Sequence, residues 1–307
     1  MTAGRPARIE GPRPGRETAM RSPADTLQSI VRRIESLSAV DGVAEKASEA
    51  VGAATAPTVV RNALSGSWLG HQLHPIMVQV PIGAWGAATF LDLVGGDEAE
   101  DAARKLVGAG ILGALPAAAS GASDWSYEHG AASRVGLVHG LANETAAGLQ
   151  IASWIVRGSG RRGVGAALSL AAIGLTGAAG YLGGHLSFVQ GVGVNKAAGE
   201  EPAEDWIDVA SCDALSQDEL QKVTADGRDL VLIRQGETLH AVSDVCTHAG
   251  APLHEGSVED GCLVCPWHGS RFRVEDGGVE RGPATVPQPA WEVRVEGGRV
   301  QVRAARR

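Results

Sequence analysis

Cys246-Thr247-His248 and Cys265-Pro266-Trp267-His268-Gly269-Ser270, with sixteen residues between His248 and Cys265, decide how this chain is read. Two Cys-His pairs, each expected at the tip of a β-loop, offer two thiolates and two imidazoles. Soft thiolates suit ferric iron and neutral imidazole is a borderline ligand. The four can therefore hold a [2Fe–2S] unit with both thiolates on one iron and both imidazoles on the other. The competing reading is a Cys2His2 zinc site, which takes the same side chains but ordinarily pairs C-x2-4-C with H-x3-5-H. Mixed Cys-His pairs disfavour it. Gly250 and Gly269 follow the pairs closely, where a backbone must wrap a bulky group without a Cβ in the way. Pro266 fixes φ beside Cys265. With Ser270 these three are the expected surroundings of the ligands Cys246, His248, Cys265 and His268.

The same residues sit in a wider pattern: Leu239-His240-Ala241-Val242 ahead, Ala251-Pro252-Leu253 and Glu255-Gly256 after the first loop, Arg271-Phe272 after the second. Together they resemble the Rieske ferredoxin family over residues 204–303. The resemblance implies a cluster with Cys246 and Cys265 on the buried iron and His248 and His268 on the outer one. It also implies a subclass. Cytochrome bc-type members carry a disulfide between extra loop cysteines, where this chain has Ala251 and Trp267, and a sulfur-bonding tyrosine where it has Phe272; Ser270 is retained. Fewer hydrogen bonds to sulfur lower the potential. The expected value is at the low end of the Rieske range, about −150 mV rather than about +300 mV. Ring-hydroxylating oxygenases share both loops but add a mononuclear iron on two histidines and a carboxylate. No histidine follows His268, so the domain is expected to carry electrons without itself oxidising a substrate. Its coarse pattern is all-β, with Leu230–Ile233, Trp291–Val295 and Arg299–Val302 as short alternating runs and Gly297-Gly298 as a hairpin turn.

Ahead of this domain the composition changes. Residues 74–96, 106–124, 135–156 and 164–184 are runs rich in Ala, Gly, Leu, Val and Ile, each close to the ~20 residues that cross a bilayer as a helix. Charge gathers in the connectors, as in Asp97-Glu98-Ala99-Glu100-Asp101. A soluble Ala/Gly-rich bundle is the alternative, since these residues insert weakly. Small residues at four-residue spacing (Ala109, Gly113, Ala117; Gly136, Gly140) suit close helix packing in membranes. The expected fold is a four-span α-helical bundle followed by a small all-β iron–sulfur domain. Its organisation is a disordered tail at 1–23, an amphipathic helical segment at 24–70, the transmembrane domain at 71–190, a linker at 191–204 and the Rieske domain at 205–303.

Several polar groups fall within the apolar runs or at their ends: Gln79, Asp92, His139, Asn143, Glu144 and His185. Intramembrane ionisable groups usually face the bundle interior and mark a functional path. His74, His139 and His185 are candidates for a b-type haem or quinone site, since imidazole is an axial iron ligand; His71 and His129 look looser. The alternative is that these imidazoles hydrogen-bond backbone or each other at the interface. The stretch Gly70-His71-Gln72-Leu73-His74-Pro75, continuing Pro81-Ile82-Gly83 and ending at Asp92, resembles an uncharacterised bacterial four-span membrane-domain family, some members of which are fused to Rieske ferredoxins.

A net charge of −8 with scattered basic residues leaves no nucleic-acid footprint. No apolar run follows the early arginines, so no signal peptide is expected. The chain is placed in a bacterial inner membrane, multi-pass, with both ends and the Rieske domain cytoplasmic, although the positive-inside rule leans weakly the other way. Leu27, Ile30, Val31, Ile34 and Leu37 make residues 24–52 one amphipathic helix that lies on the membrane, docks a partner or packs on the Rieske domain. Cys212 and Cys262 have no evident role. The functional expectation is a membrane-anchored, low-potential electron carrier. It works with a reductase, an oxygenase or a quinone, and relays to or from a membrane haem or quinone. As an enzyme it would be an oxidoreductase acting with one of these. The alternative is an iron–sulfur redox sensor or assembly subunit.

Overall fold

A computed structural model describes residues 23–199 and 205–304. The expected disordered tail therefore lies outside the described residues except for Pro23, which opens a helix, as do residues 200–204 of the expected linker. Three short helices come first: α1 (Pro23–Glu35), α2 (Asp41–Ala54) and α3 (Thr58–Ser65). Four longer ones follow, α5 (Gln79–Val94), α6 (Glu100–Trp125), α7 (Gly130–Gly158) and α8 (Arg162–Phe188), with a single turn, α4 (His74–Met77), leading into α5.

The helix expected over 24–52 is broken at residues 36–40, and Arg134 of α7 accounts for the break. Its guanidinium caps the end of α1 by donating to Glu35 O (2.6 Å) and grips Asp41 at the start of α2 through two further bonds of 2.6 and 2.7 Å. Charge-assisted bonds of this kind outweigh one turn of helix propensity. Val31 and Ile34 of α1 pack on the bundle, against Val135 and Leu182, and not on the Rieske domain, while Leu27 and Ile30 stay exposed.

Three segments are long and apolar enough to cross a membrane: His74–Val94, Asp97–Trp125 and Arg162–Phe188. Helix α7 has the length, at 29 residues, but carries His139, Asn143, Glu144, Gln150 and Arg157. The bundle is inverted relative to a water-soluble one. Ser120, Ser123, Gln150, Ser153 and Ser169 are buried, while Phe90, Leu93, Leu112, Leu115 and Ile155 are exposed. Hydrocarbon around such a bundle would satisfy both sets of residues.

The two hairpins, α4/α5–α6 and α7–α8, repeat one arrangement at fixed offsets. His74 and His139 differ by 139 − 74 = 65, as do Trp85 and Gln150, and Asp92 and Arg157. Their contacts on the second helix of each hairpin differ by 62: Ala117 and Ala179, Val107 and Ser169. His74 bonds Ala117 O as His139 bonds Ala179 O; Trp85 donates to Val107 O, whereas Gln150 accepts from Ser169 Oγ. At the far end the equivalent positions meet each other. Arg157 is 0% exposed and donates to both carboxylate oxygens of Asp92, which is 4% exposed, one bond being 2.8 Å long. Ser153, Ser169 and Gln150 extend this buried network.

The C-terminal part is all antiparallel β. Strands β1 (Ile207–Ser211), β2 (Gln221–Ala225), β3 (Arg228–Gln235), β4 (Thr238–Ser243), β9 (Ala290–Glu296) and β10 (Arg299–Ala304) form one sheet in the order β1-β10-β9-β4-β3-β2. The others, β5 (Ser257–Glu259), β6 (Cys262–Val264), β7 (Arg271–Arg273) and β8 (Val279–Arg281), form a second sheet in sequence order. Val231, Ile233, Val242, Leu253, Leu263 and Phe272 form a core between them and also enclose Cys246 and Cys265.

Candidate metal centre

Two loops rise from this core, one between β4 and β5 with Cys246 and His248, one between β6 and β7 with Cys265 and His268. They are built alike. In each, the N–H four residues past the cysteine (Gly250, Gly269) donates to the cysteine's own carbonyl, at 2.8 and 3.1 Å. The cysteine N–H in turn donates to the carbonyl of the fifth residue (Ala251, Ser270), at 2.9 Å in both. Closing so tight a loop puts Gly250 at φ +83° and Gly269 at φ +66°, a region that glycine alone enters freely.

Buried polar groups hold the loops in place. Gln288, 1% exposed, donates to Ser243 O (2.8 Å) and Val245 O (2.6 Å) and accepts from Thr247 N–H (3.2 Å). Asp244 takes the backbone N–H and the Nδ1–H of His254 at 2.8 and 2.7 Å. Ser270 is fully buried, its hydroxyl oxygen accepting from Ala284 N–H at 3.0 Å. Gln288, Asp244 and His254 escape a reading of the ligand motif because their partners lie up to 45 residues away.

The four ligand candidates converge as two like pairs. The Cys246 thiol hydrogen-bonds Cys265. That bond, with the N–H groups of Trp267 and His268, holds the Cys265 thiol below its ordinary value, while the same bond and burial push Cys246 up. His248 and His268 face each other through Nδ1, 3.1 Å apart. Burial lowers both imidazoles, His248 to about 3, so both are neutral at pH 7 with a lone pair to give. Among the described residues no three His, Cys, Asp or Glu side chains gather round one ion-sized point. A mononuclear zinc site needs such a point. A dinuclear cluster with one iron on each pair does not, and the donor set fits it: two thiols together, two Nδ1 atoms together, and glycines where a Cβ would crowd the loops.

The histidine edge is covered by the helical bundle. Tyr127, between α6 and α7, meets His248 and His268 edge-on with ring centroids 5.9 and 5.5 Å away, and His129 stacks on His268 at 6.4 Å. Burial raises the Tyr127 phenol, whose buried hydroxyl has no hydrogen-bond partner, and the Arg61 guanidinium lies 5.3 Å from the centre of its ring. Asn62 on α3 latches the two parts, donating to Glu280 O (3.0 Å) and accepting from Gly282 N–H (2.9 Å). Lys196 N–H donates to Thr247 O in the first loop at 3.2 Å. Tyr127 carries no sequence signal, and His129, one of the two looser histidines of the sequence, lies against His268.

The three histidines expected to share a second site do not all meet. His74 and His139 lie together, ring centroids 6.4 Å apart and nearly perpendicular. His185 is elsewhere, its Nε2 donating to Glu35 at 2.9 Å. That bond first, and then Gln190, holds the Glu35 carboxyl below the usual carboxylate range.

Comparison with known proteins agrees with both halves. Residues 205–293 match the family described as "Rieske [2Fe-2S] domain" and residues 70–196 the family described as "Predicted membrane protein (DUF2231)". The anthranilate 1,2-dioxygenase ferredoxin subunit of Burkholderia cepacia is 32% identical over 34% of this chain and 95% of its own length. Ferredoxin CarAc of Metapseudomonas resinovorans is 34% identical over 32% and 92%. The solved ferredoxin of carbazole 1,9a-dioxygenase from Nocardioides aromaticivorans IC177 is 29% identical over 34% of this chain and 100% of that one, with a TM-score of 0.32. The chain belongs to the Rieske [2Fe-2S] ferredoxin family through its C-terminal domain, which is joined to a DUF2231 membrane domain in the same polypeptide.

Proposed function

We propose that this protein is a membrane-anchored, low-potential electron carrier in which Cys246 and Cys265 hold one iron and His248 and His268 the other. Segment α4/α5, α6, α7 and α8 are its four spans. Helix α7 qualifies by its length and by burying Gln150, Ser153 and Arg157 against its neighbours, as intramembrane polar residues do, while Glu144 stays exposed. The cluster would supply one-electron chemistry at low potential without moving atoms. The chain's own residues do the rest. Gln288, Asp244 and the two loop glycines hold the ligands, the core beneath Cys246 and Cys265 excludes water from one side, and Tyr127 and His129 exclude it from the other.

The observation that carries this reading is the pair of facing Nδ1 atoms, 3.1 Å apart, beneath rings from the membrane domain. Because the relatives bear the names of dioxygenase ferredoxins, a soluble oxygenase or reductase on the cytoplasmic side is the proposed outside partner. The relay continues inward to a membrane haem or quinone, for which His74 and His139 are the candidates. A regulatory sensor would not need to exchange electrons productively. Full-length protein in nanodiscs, mixed with NADH and a ferredoxin reductase, is expected to take up one electron per cluster and to return it to an oxidised acceptor. Asn62→Ala, which breaks both bonds of the latch, is expected to speed reduction by the soluble enzyme several-fold with an unchanged cluster EPR signal. Failure of the cluster to exchange with either partner contradicts the carrier reading.

A further inference from the structure

His74 and His139 occupy equivalent positions in the two helical hairpins, 65 residues apart, and meet in the bundle. Each has the same two contacts. Nδ1 bonds a backbone carbonyl of the next helix, Ala117 O at 2.9 Å for His74 and Ala179 O at 2.8 Å for His139. Each ring also packs on a glycine one turn further along that helix: a Cβ at Gly121 would lie 2.7 Å from His74 Cε1, and one at Gly183 3.1 Å from His139 Cε1. A carbonyl only accepts, so Nδ1 carries the proton in both rings and Nε2 carries the lone pair. The Asn143 amide lies 3.2 Å from His139 Nε2 and also donates to His139 O at 3.0 Å, so it can rest on that carbonyl alone when Nε2 gives its lone pair to a metal. Donating the other ring N–H to a carbonyl is how metal-bound histidines are oriented.

We infer that His74 and His139 are the two axial ligands of a b-type haem in the membrane domain. The inference deepens the relay proposed above and rests on it for its purpose, although the site itself stands on the helices alone. A pair of imidazoles is too few for a bare ion, which takes three or four protein donors. No third His, Cys, Asp or Glu joins them among the described residues. Haem iron already has four nitrogens from its macrocycle and asks the protein for two. Two metal–nitrogen bonds of about 2.0–2.1 Å plus the inner halves of two imidazole rings span a distance close to the 6.4 Å between their centres. The placement is also suited to exchange with the cluster. Gly121, against which His74 packs, precedes Tyr127 by six residues, about 9 Å along a helix. His139 lies on the helix that begins just after His129. The two helices that end in the cover over the cluster's histidines thus hold both imidazoles between them.

Full-length protein should be expressed with added haem precursor, purified in detergent, and assayed for haem by pyridine haemochrome and for the cluster by EPR in the same sample. One haem per chain with a low-spin optical spectrum is expected in the parent. His74→Ala and His139→Ala are each expected to lose the haem, and the cluster signal to remain in both. His74→Met is expected to retain it with an altered spectrum and a raised haem potential, as His/Met ligation does, a change that a merely structural histidine would not produce. A parent with a full cluster signal and no haem overturns the inference, as does a haem spectrum unchanged in the His74→Ala/His139→Ala variant. So does a stoichiometric bare metal found by elemental analysis in place of haem. Haem bound in a chain that builds no cluster would overturn the carrier reading and leave this site standing.

Discussion

Arg157→Leu is expected to be the most damaging single substitution in the helical domain. Arg157 is fully buried and its guanidinium is shared between Asp92, Ser153 and Ser169. Removing it strands the Asp92 carboxylate in a medium with no water to solvate it. Breaking one side of a buried ion pair costs about 3–5 kcal/mol, whereas replacing both partners by apolar residues is often neutral. The double variant Asp92→Leu/Arg157→Leu should therefore recover most of what the single variant loses. Thermal unfolding in detergent, followed by helix content, measures both. A single variant no worse than the double would mean that the pair does not hold the hairpins together.

The second large effect is at the cluster. Cys265→Ala is expected to remove the cluster altogether, with iron content falling from two per chain to none and the visible absorption lost, because a soft thiolate has no substitute at that position. The β domain should stay folded, since its core is carried by Val231, Ile233, Leu263 and Phe272 as well as by the cysteines. Ser270→Ala is a milder companion. It removes the buried hydroxyl oxygen that accepts from Ala284 N–H, so the cluster is expected to persist in a less firmly held second loop, at lower thermal stability. Retention of two irons in Cys265→Ala would mean that the thiolate pair has been misassigned.

The parts of this molecule that were legible in the sequence are those written in local spacing. The Cys-His pairs with their trailing glycines gave the loops, and the glycines indeed take the left-handed conformation that closes each one. The apolar runs fall on helices α4/α5 to α8, with ends up to six residues from those of the helices. What escaped was long-range or hidden by composition. The break between α1 and α2 depends on Arg134, which lies 93 residues from Asp41. The hairpin repeat is invisible in runs of Ala and Gly, where His74-Pro75-Ile76 and His139-Gly140-Leu141 share little but the histidine. Grouping His185 with the other two followed from topology alone. Glu35, on a helix that was expected to lie elsewhere, claims it instead. Tyr127 and His129 could be recognised only once the two domains were set against each other.

The most direct test of the central claim is an EPR-monitored redox titration of the purified full-length protein. A single one-electron signal of a [2Fe–2S] cluster with mixed cysteine and histidine ligation is expected, with its midpoint at the low end of the Rieske range, about −150 mV. A midpoint near about +300 mV would contradict the ferredoxin-type assignment. A silent spectrum from protein that contains zinc in place of iron would contradict the metal centre itself.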